Sequence, residues 1–167
     1  MRTCPRSIGL LVLLSCLTST PGLSQTSAEA EIGAVVDGMF GGMRAGDSTA
    51  VRSALHPGAT LSTVRVVDGE IDIAEADFDG FVEAVGTPHD EVWDERIANF
   101  RVLVDEPFAI AWMDYAFYLG ERFSHCGVNA IQLARTSDGW RVIAVTDTRR
   151  RTDCGVGGET PGDGRGD

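Results

Sequence analysis

The chain has 167 residues and a formal net charge of −11, and all 14 of its basic residues are arginine. This length is enough for one domain with its own hydrophobic core, and no internal repeat or second domain is visible. Nucleic-acid binding requires a basic surface, so the acidic charge excludes that class of function. The one basic run, residues 149–151, is too short to change this expectation.

The first 24 residues have the pattern of an export signal. Arg2 and Arg6 give a positive start, and residues 8–17 form an apolar run that is too short to span a bilayer comfortably. Small residues at positions 22 and 24 fit a cleavage site. We therefore expect a signal peptide over residues 1–24 and an exported protein, located in the periplasm, in the medium or at the cell surface.

The predicted domain covers residues 25–154. Residues 155–167 are rich in Gly and Asp and are predicted to form a disordered tail. At the N-terminus, one alternative to a cleaved signal peptide stays open. The stretch ending at Cys16 is similar to a lipoprotein signal, in which that cysteine would be lipidated and would hold the protein at a membrane.

Three helices are predicted in the N-terminal half. The first has an apolar face formed by Ile32, Val35, Val36, Met39, Phe40 and Met43. Gly46 ends it, Asp47 caps a second helix over residues 48–55, and Pro57 prevents continuation. A third helix is predicted over residues 78–85. The glycines of the first helix are predicted to allow close approach to a sheet; they are Gly38, Gly41 and Gly42.

Strands dominate the rest of the domain. A hairpin is predicted over residues 61–73, with its turn at Asp68-Gly69. Four longer strands follow, over residues 93–104, 108–118, 123–136 and 140–148. The last two are joined by Ser137-Asp138-Gly139-Trp140, and an Asp-Gly turn would pair Ser137 with Trp140. In the last strand, Val142 and Val145 are predicted to lie on opposite faces because side chains alternate.

Two segments carry a resemblance to a known superfamily. Residues 43–61, MRAGDSTAVRSALHPGATL, form a helix–helix–strand opening, and residues 111–150 contain the pieces FSHCG and GW…DTRR. With the order of elements, they resemble the SnoaL-like and nuclear-transport-factor-two-like superfamily. The second segment is also similar to the exported bacterial group labelled lumazine-binding.

The resemblance implies an α+β fold. It is a cone-like curved antiparallel β-sheet wrapped around the three helices, also described as a cystatin-like cone. It further implies a pocket between the concave face and the helices. Because the second face of the long strands is also partly apolar, we expect a homodimer formed through the sheet. The superfamily includes isomerases, cyclases, dehydratases and proteins without known activity, so the fold leaves the function open.

Two cysteines of the predicted domain are candidates for a disulfide. The Asp-Gly turn register places Cys126 opposite Arg151, three residues before Cys154. A chain that turns back at the end of the strand could join the two sulfur atoms, and an oxidising compartment would preserve the bond. The alternative is two free thiols.

His125 is the first candidate for the pocket, as a general base or a hydrogen-bond partner. Alternation places it on one face with Phe123, Gly127 and Asn129, and Gly127 is predicted to leave room for a ligand. A structural histidine is the alternative. A Ser124–His125–Asp147 triad is not expected, because neighbouring residues of a strand point to opposite faces.

The other candidates are carboxylates, aromatics and a second histidine. Asp114 and Asp147 lie in apolar strands, where a carboxylate needs a partner, and Arg149 or Arg122 could make Asp147 a structural ion pair. Further predicted ligand-binding residues are His56, Trp93, Trp112 and Tyr115. The histidine spacing predicts no metal site, and no cofactor is expected.

These observations predict an exported protein that binds a small hydrophobic or aromatic molecule in an aromatic pocket. One alternative is a cofactor-free isomerase, cyclase or dehydratase that transfers a proton with Asp114 or His125. A dimeric interaction domain without a ligand is the second alternative.

Overall fold

The computed structural model describes the backbone of residues 22–155 and side chains from residue 27 onward. Most of the predicted signal peptide, including Cys16, and the predicted tail beyond Gly155 lie outside the described residues. Within residues 22–155, no helix combines the length and apolar character needed to cross a membrane.

Three helices lie within the described range: α1 (Gly22–Ala45), α2 (Ser48–Ala54) and α3 (Phe78–Gly86). The predicted apolar face of α1 is buried, with Ile32 and Val36 fully inaccessible. The side chain of Asp47 caps α2 by accepting hydrogen bonds from the backbone N–H of Thr49 (3.0 Å) and of Ala50 (2.9 Å). Local capping and periodicity therefore predicted these helices correctly.

A Cβ atom placed on Gly38, Gly41 or Gly42 of α1 has no sheet atom among its nearest neighbours, so the predicted role of these glycines was wrong. A Cβ atom on Gly42 would lie 2.9 Å from the Cβ of Ala50, which shows that Gly42 permits close packing of α1 on α2. Nothing lies within 4 Å of a Cβ on Gly38 or Gly41.

The strands are β1 (Leu55–Val67), β2 (Glu70–Asp77), β3 (Trp93–Asp105), β4 (Phe108–Leu119), β5 (Arg122–Thr136) and β6 (Gly139–Arg149). They form a curved, unclosed sheet in the order β2-β1-β6-β5-β4-β3. Neighbouring strands are antiparallel except β1 and β6, which are parallel. The sheet is therefore not the purely antiparallel one that was expected, because β1 and β6 are parallel. The predicted α+β cone is confirmed.

The helices cover one face of the sheet, which we call the inner face. Met113, Ile131 and Leu133 of the inner face are fully buried and belong to one hydrophobic cluster with Ile32 of α1 and Val82 of α3. The opposite face is called the outer face. A second cluster there, Ala116, Tyr118 and Cys126, is covered by the segment that carries Cys154.

The β5–β6 turn differs from the expected one. Thr136 pairs with Gly139, so the two-residue loop is Ser137-Asp138 and not Asp138-Gly139. Gly139 takes a φ of 96° and Asp138 does not adopt a positive φ, whereas an Asp-Gly turn of the expected type needs a positive φ at both residues. This turn and the register shift between Gln132 and Leu133 together place Cys126 opposite Arg150.

The predicted disulfide is confirmed despite that change of register. Cys126 and Cys154 are bonded, with their Cα atoms 5.8 Å apart. The bond holds the segment after β6 against the outer face, because the covered cluster lies there.

Two bulges change which side chains share a face. In β6, Val142 pairs with Leu133 and Ala144 with Gln132, so Ile143 is an extra residue. Val142 and Val145 consequently both join the inner cluster, and their predicted separation was wrong.

A second irregularity in β5 lies at Ser124, since Phe123 pairs with Tyr118 while His125 pairs with Phe117. Phe123 therefore packs with Tyr118 on the outer face and does not share the face of His125, as alternation had predicted.

Candidate functional site

A cavity of about 330 Å³ lies between α1, α3 and the inner face of the sheet. This volume is within the range of small-molecule sites. Most of its wall is apolar and aromatic: Met39, Phe40, Met43, Leu61, Phe78, Phe81, Trp93, Phe117, Leu119 and Val145. Five polar side chains complete the lining: Glu95, Tyr115, His125, Asp147 and Arg149. The site can therefore enclose an apolar body and offer hydrogen bonds to a polar group.

Asp147 is the centre of the polar cluster. It is 4% exposed, and its Oδ1 accepts a hydrogen bond from the hydroxyl of Thr63 at 2.5 Å. Its Oδ2 lies 2.9 Å from the hydroxyl of Tyr115 and 2.8 Å from Nε of Arg149. The predicted Asp147–Arg149 ion pair is confirmed, whereas Arg122 pairs with Glu91 instead. These donors compensate the burial of the carboxylate.

Tyr115 is a fixed hydrogen-bond donor. Burial and then the charge of Asp147 raise the pKa of Tyr115 above its usual range, so its hydroxyl stays protonated. The same hydroxyl lies 2.9 Å from the carbonyl oxygen of Thr148, a second acceptor.

Glu95 is a carboxylate with a different balance of partners. The amide nitrogen of Asn129 donates a hydrogen bond to its Oε1 at 2.6 Å. Burial raises the pKa of Glu95 to about 7, and this outweighs the opposing effect of the Asn129 hydrogen bond. Among the described residues, the salt bridges of the protein do not include Glu95. The pocket thus holds a carboxyl that changes charge near neutral pH.

His125 faces the pocket as a neutral imidazole. Burial, and next the positive charge of Arg149, lower the pKa of His125 to about 4. Its ring lies against Phe117 and Tyr115, with centroid distances of 5.1 and 5.7 Å. Near neutral pH it can accept or donate a hydrogen bond without carrying charge.

Ser124 and His125 do meet, which corrects the argument used against a triad. Ser124 Oγ lies 3.0 Å from Nδ1 of His125. The bulge at Ser124 breaks the alternation on which the argument rested. Ser124 is nevertheless not part of the pocket lining, so the pair supplies no nucleophile to the cavity.

Four of the predicted ligand-binding residues line the pocket together: Trp93, Tyr115, His125 and Asp147. Asn129 lies behind Glu95 and reaches the site through its hydrogen bond to that carboxylate. His56 is exposed at the start of β1 and lies outside the lining. Their roles toward a ligand stay predictions.

Two predicted residues lie on the wrong face for this site. Asp114 and Trp112 alternate with the buried residues Met113 and Tyr115 and therefore point to the outer face. Trp112 is 44% exposed, and Asp114 accepts a hydrogen bond from Asn99 at 2.7 Å. Asp114 is consequently not a candidate for acid–base chemistry in the cavity.

Gly127 does not leave room for a ligand, contrary to expectation. A Cβ atom there would lie 1.7 Å from the carbonyl oxygen of Thr148 and 2.9 Å from Cε1 of Tyr115. The space beside this glycine is already filled by the backbone of β6 and by the tyrosine ring.

Glu95 is the functional candidate that sequence reasoning missed. A signal was present: in β3, Trp93, Glu95 and Ile97 occupy alternate positions, and the tryptophan and isoleucine pack against the core. A carboxylate between two inward-facing apolar residues is expected to point inward too. Among the described residues, no group of three metal-binding side chains occurs.

Comparisons with known proteins show what the architecture resembles. No protein-family model matches the chain, and no curated protein matches it. An NTF2-like protein with a cystatin-like fold from Novosphingobium aromaticivorans superposes with a TM-score of 0.63 at 13% identity, covering 81% of this chain and 89% of that one. An NTF2-like protein of unknown function from Shewanella baltica superposes with a TM-score of 0.59 at 19% identity, covering 79% of this chain and 98% of that one.

A protein of unknown function from Mycobacterium tuberculosis gives a TM-score of 0.64 at 13% identity, covering 79% of this chain and 77% of that one. At these identities the likeness concerns the fold, and function has to be argued from the pocket.

Proposed function

The chain has the nuclear-transport-factor-two-like, cystatin-like fold, and from the pocket inside it we propose that the protein binds a small, largely apolar molecule with one polar end. The observation that carries this proposal is the division of the lining into an apolar wall and a polar cluster around Asp147 and Glu95. Burial of an apolar body there contributes about 25 cal/mol per Å² removed from water. The polar cluster would orient the bound molecule.

The proposed place of action is outside the cytosol. The export pattern of residues 1–24 supports it, and so does the Cys126–Cys154 disulfide, which an oxidising compartment maintains.

A substitution that fills the cavity tests the binding proposal. Leu61 lines the pocket, so Leu61→Trp is expected to weaken binding of a neutral test molecule, naphthylmethanol, by tenfold or more. Val67→Trp is the matched control, because Val67 lies on the same strand, is 44% exposed and is outside the lining. Isothermal titration calorimetry measures both. Absence of binding to the unmodified protein, or equal affinity in Leu61→Trp, would contradict the proposal.

Proton transfer is the second candidate function, and Glu95 favours it. A carboxyl with a pKa of about 7 exchanges its proton easily at neutral pH, and this carboxyl lines the cavity in which a substrate would be bound. This hypothesis replaces Asp114 by Glu95 as the acid or base. Mass spectrometry of small molecules that copurify with the exported protein would distinguish a retained ligand from a substrate that is converted.

We also propose that two copies associate through the outer face. The outer face exposes large apolar side chains on both edge strands of the sheet, including Leu103 (73%) on β3 and Ile73 (63%) on β2. Between them runs a row of small uncharged side chains across β5, β6 and β1: Ala130, Thr146 and Ser62. Such a surface allows a second sheet to pack flat against it.

Introducing charge on this face is the corresponding test. Leu103→Asp combined with Ile73→Asp is expected to convert a dimer into a monomer in sedimentation velocity, because two carboxylates would be buried without partners. Glu83→Gln on α3 serves as the control that leaves the outer face intact. A monomeric unmodified protein would refute this proposal and leave the pocket proposal untouched.

A further inference from the structure

Glu95 differs from the other charged groups of the pocket because no cation of the described chain pairs with it. The charge of Asp147 is matched by Arg149 in a 2.8 Å ion pair. The side chain of Arg149 is 43% exposed, and its Nε is held by Asp147 and not by Glu95. Glu95 receives one neutral hydrogen bond from Asn129 and has no salt bridge within residues 27–155.

The wall around this carboxylate is suited to a cation as well. Aromatic rings from four elements line the cavity: Phe40, Phe78, Phe81, Trp93, Tyr115 and Phe117. The face of an aromatic ring attracts an ammonium group, and the attraction grows when the cation is desolvated. The net charge of −11 would also favour the approach of a positively charged molecule over an anion.

We propose that the pocket selects amines: its ligand is an apolar molecule with one protonated amino group, which pairs with Glu95 while the apolar body lies against the aromatic wall. This inference rests on the proposed binding function and names the chemical class of the ligand. The charge of Asp147 is already matched by Arg149, and its oxygens accept hydrogen bonds from Thr63, Tyr115 and Arg149, so Glu95 is the carboxylate left for the ammonium group.

The groups that face Glu95 determine how binding depends on pH. They are Asn129 and His125 from β5, Tyr115 from β4, and Asp147 and Arg149 from β6, while α1 and α3 contribute only apolar residues to the cavity. His125 has a pKa of about 4 and is neutral near pH 7, and Tyr115 keeps its proton. Glu95 is therefore the group whose charge changes between pH 5 and pH 8.

The direction in which amine binding changes with pH follows from the raised pKa of Glu95. With a pKa of about 7, Glu95 is half ionised at pH 7 and almost fully protonated at pH 5. An ammonium ligand must displace that proton at low pH, so amine affinity is expected to be roughly 50-fold weaker at pH 5 than at pH 7. A neutral ligand is expected to show no comparable change.

Three molecules that differ only in the polar group test the proposal: naphthylmethylamine, naphthylmethanol and naphthoate. Titration calorimetry at pH 7.5 is expected to give the amine the highest affinity, at least tenfold above the alcohol, and the acid the lowest. In Glu95→Gln, the ratio of amine affinity to alcohol affinity is expected to fall to about one, and the pH dependence of amine binding is expected to disappear. Glu83→Gln is the matched control, because Glu83 is exposed on α3 and outside this cavity.

The outcomes separate the inference from the function on which it rests. Tightest binding of naphthoate would show that Arg149 selects the ligand and would overturn the inference. Equal affinity for all three molecules would also overturn it and would leave the binding function standing. Failure of all three to bind would count against the binding function itself. The titrations of the unmodified protein decide these cases even if Glu95→Gln does not fold.

Discussion

Replacing Gly127 by alanine is expected to lower the free energy of unfolding by more than about 4 kcal/mol, or to prevent folding. The added Cβ would lie 1.7 Å from the carbonyl oxygen of Thr148. Because that atom belongs to the backbone, no change of rotamer relieves the contact, and β6 would have to move away from β5. The same carbonyl lies 2.9 Å from the Tyr115 hydroxyl, so the movement would also disturb the pocket.

Urea denaturation followed by circular dichroism measures this effect, and Gly41→Ala is its control. Gly41 is inside α1, and nothing lies within 4 Å of a Cβ placed there. Alanine at that position is expected to raise stability by about 0.5–1 kcal/mol, because glycine weakens a helix interior. A Gly127→Ala protein within about 1 kcal/mol of the unmodified protein would show that β5 and β6 are not packed this closely.

Removing the disulfide is the second large effect. Replacing Cys126 and Cys154 together by alanine is expected to lower the free energy of unfolding by about 3–4 kcal/mol, since the bond closes a loop with a sequence separation of 28 residues. The outer cluster of Ala116 and Tyr118 would also lose the cover that Cys154 provides. Thermal unfolding with and without a reducing agent measures the effect.

The double variant provides its own control. A reducing agent is expected to lower the melting temperature of the unmodified protein and to leave that of the Cys126→Ala, Cys154→Ala protein unchanged. Affinity for naphthylmethanol should persist in the folded fraction, because the disulfide is on the outer face and the pocket is on the inner one. A melting temperature insensitive to reduction in the unmodified protein would contradict the stabilising role of the bond.

The carboxylates show how a correct pattern can lead to the wrong residue. Asp114 and Glu95 each lie in a strand among apolar residues, and alternation defines two faces for each strand. It does not say which face the helices cover. In β4 both faces carry apolar residues, so Asp114 was equally compatible with either; the structure places it outside and Glu95 inside.

Local physical chemistry in the sequence determined the helices and the strands of this protein, and their order carried the resemblance from which the fold class was inferred. Periodicity predicted the buried face of α1, and the side chain of Asp47 marked the start of α2. Turn residues separated the long strands, and the spacing of Cys126 and Cys154 allowed their disulfide. The helices and turns depend on residues close together in the chain. The disulfide depends on strand pairing, but it still forms although Cys126 lies opposite Arg150 and not Arg151.

Only the tertiary structure decided the register, the bulges and the contents of the pocket. The extra residues at Ser124 and Ile143 change which side chains share a face, and they arise where the strands of a curved sheet must stay paired. The parallel pairing of β1 with β6 brings Thr63 to Asp147 across 84 positions of sequence. The raised pKa of Glu95 likewise depends on its burial in a pocket built from several separate helices and strands, which no local pattern encodes.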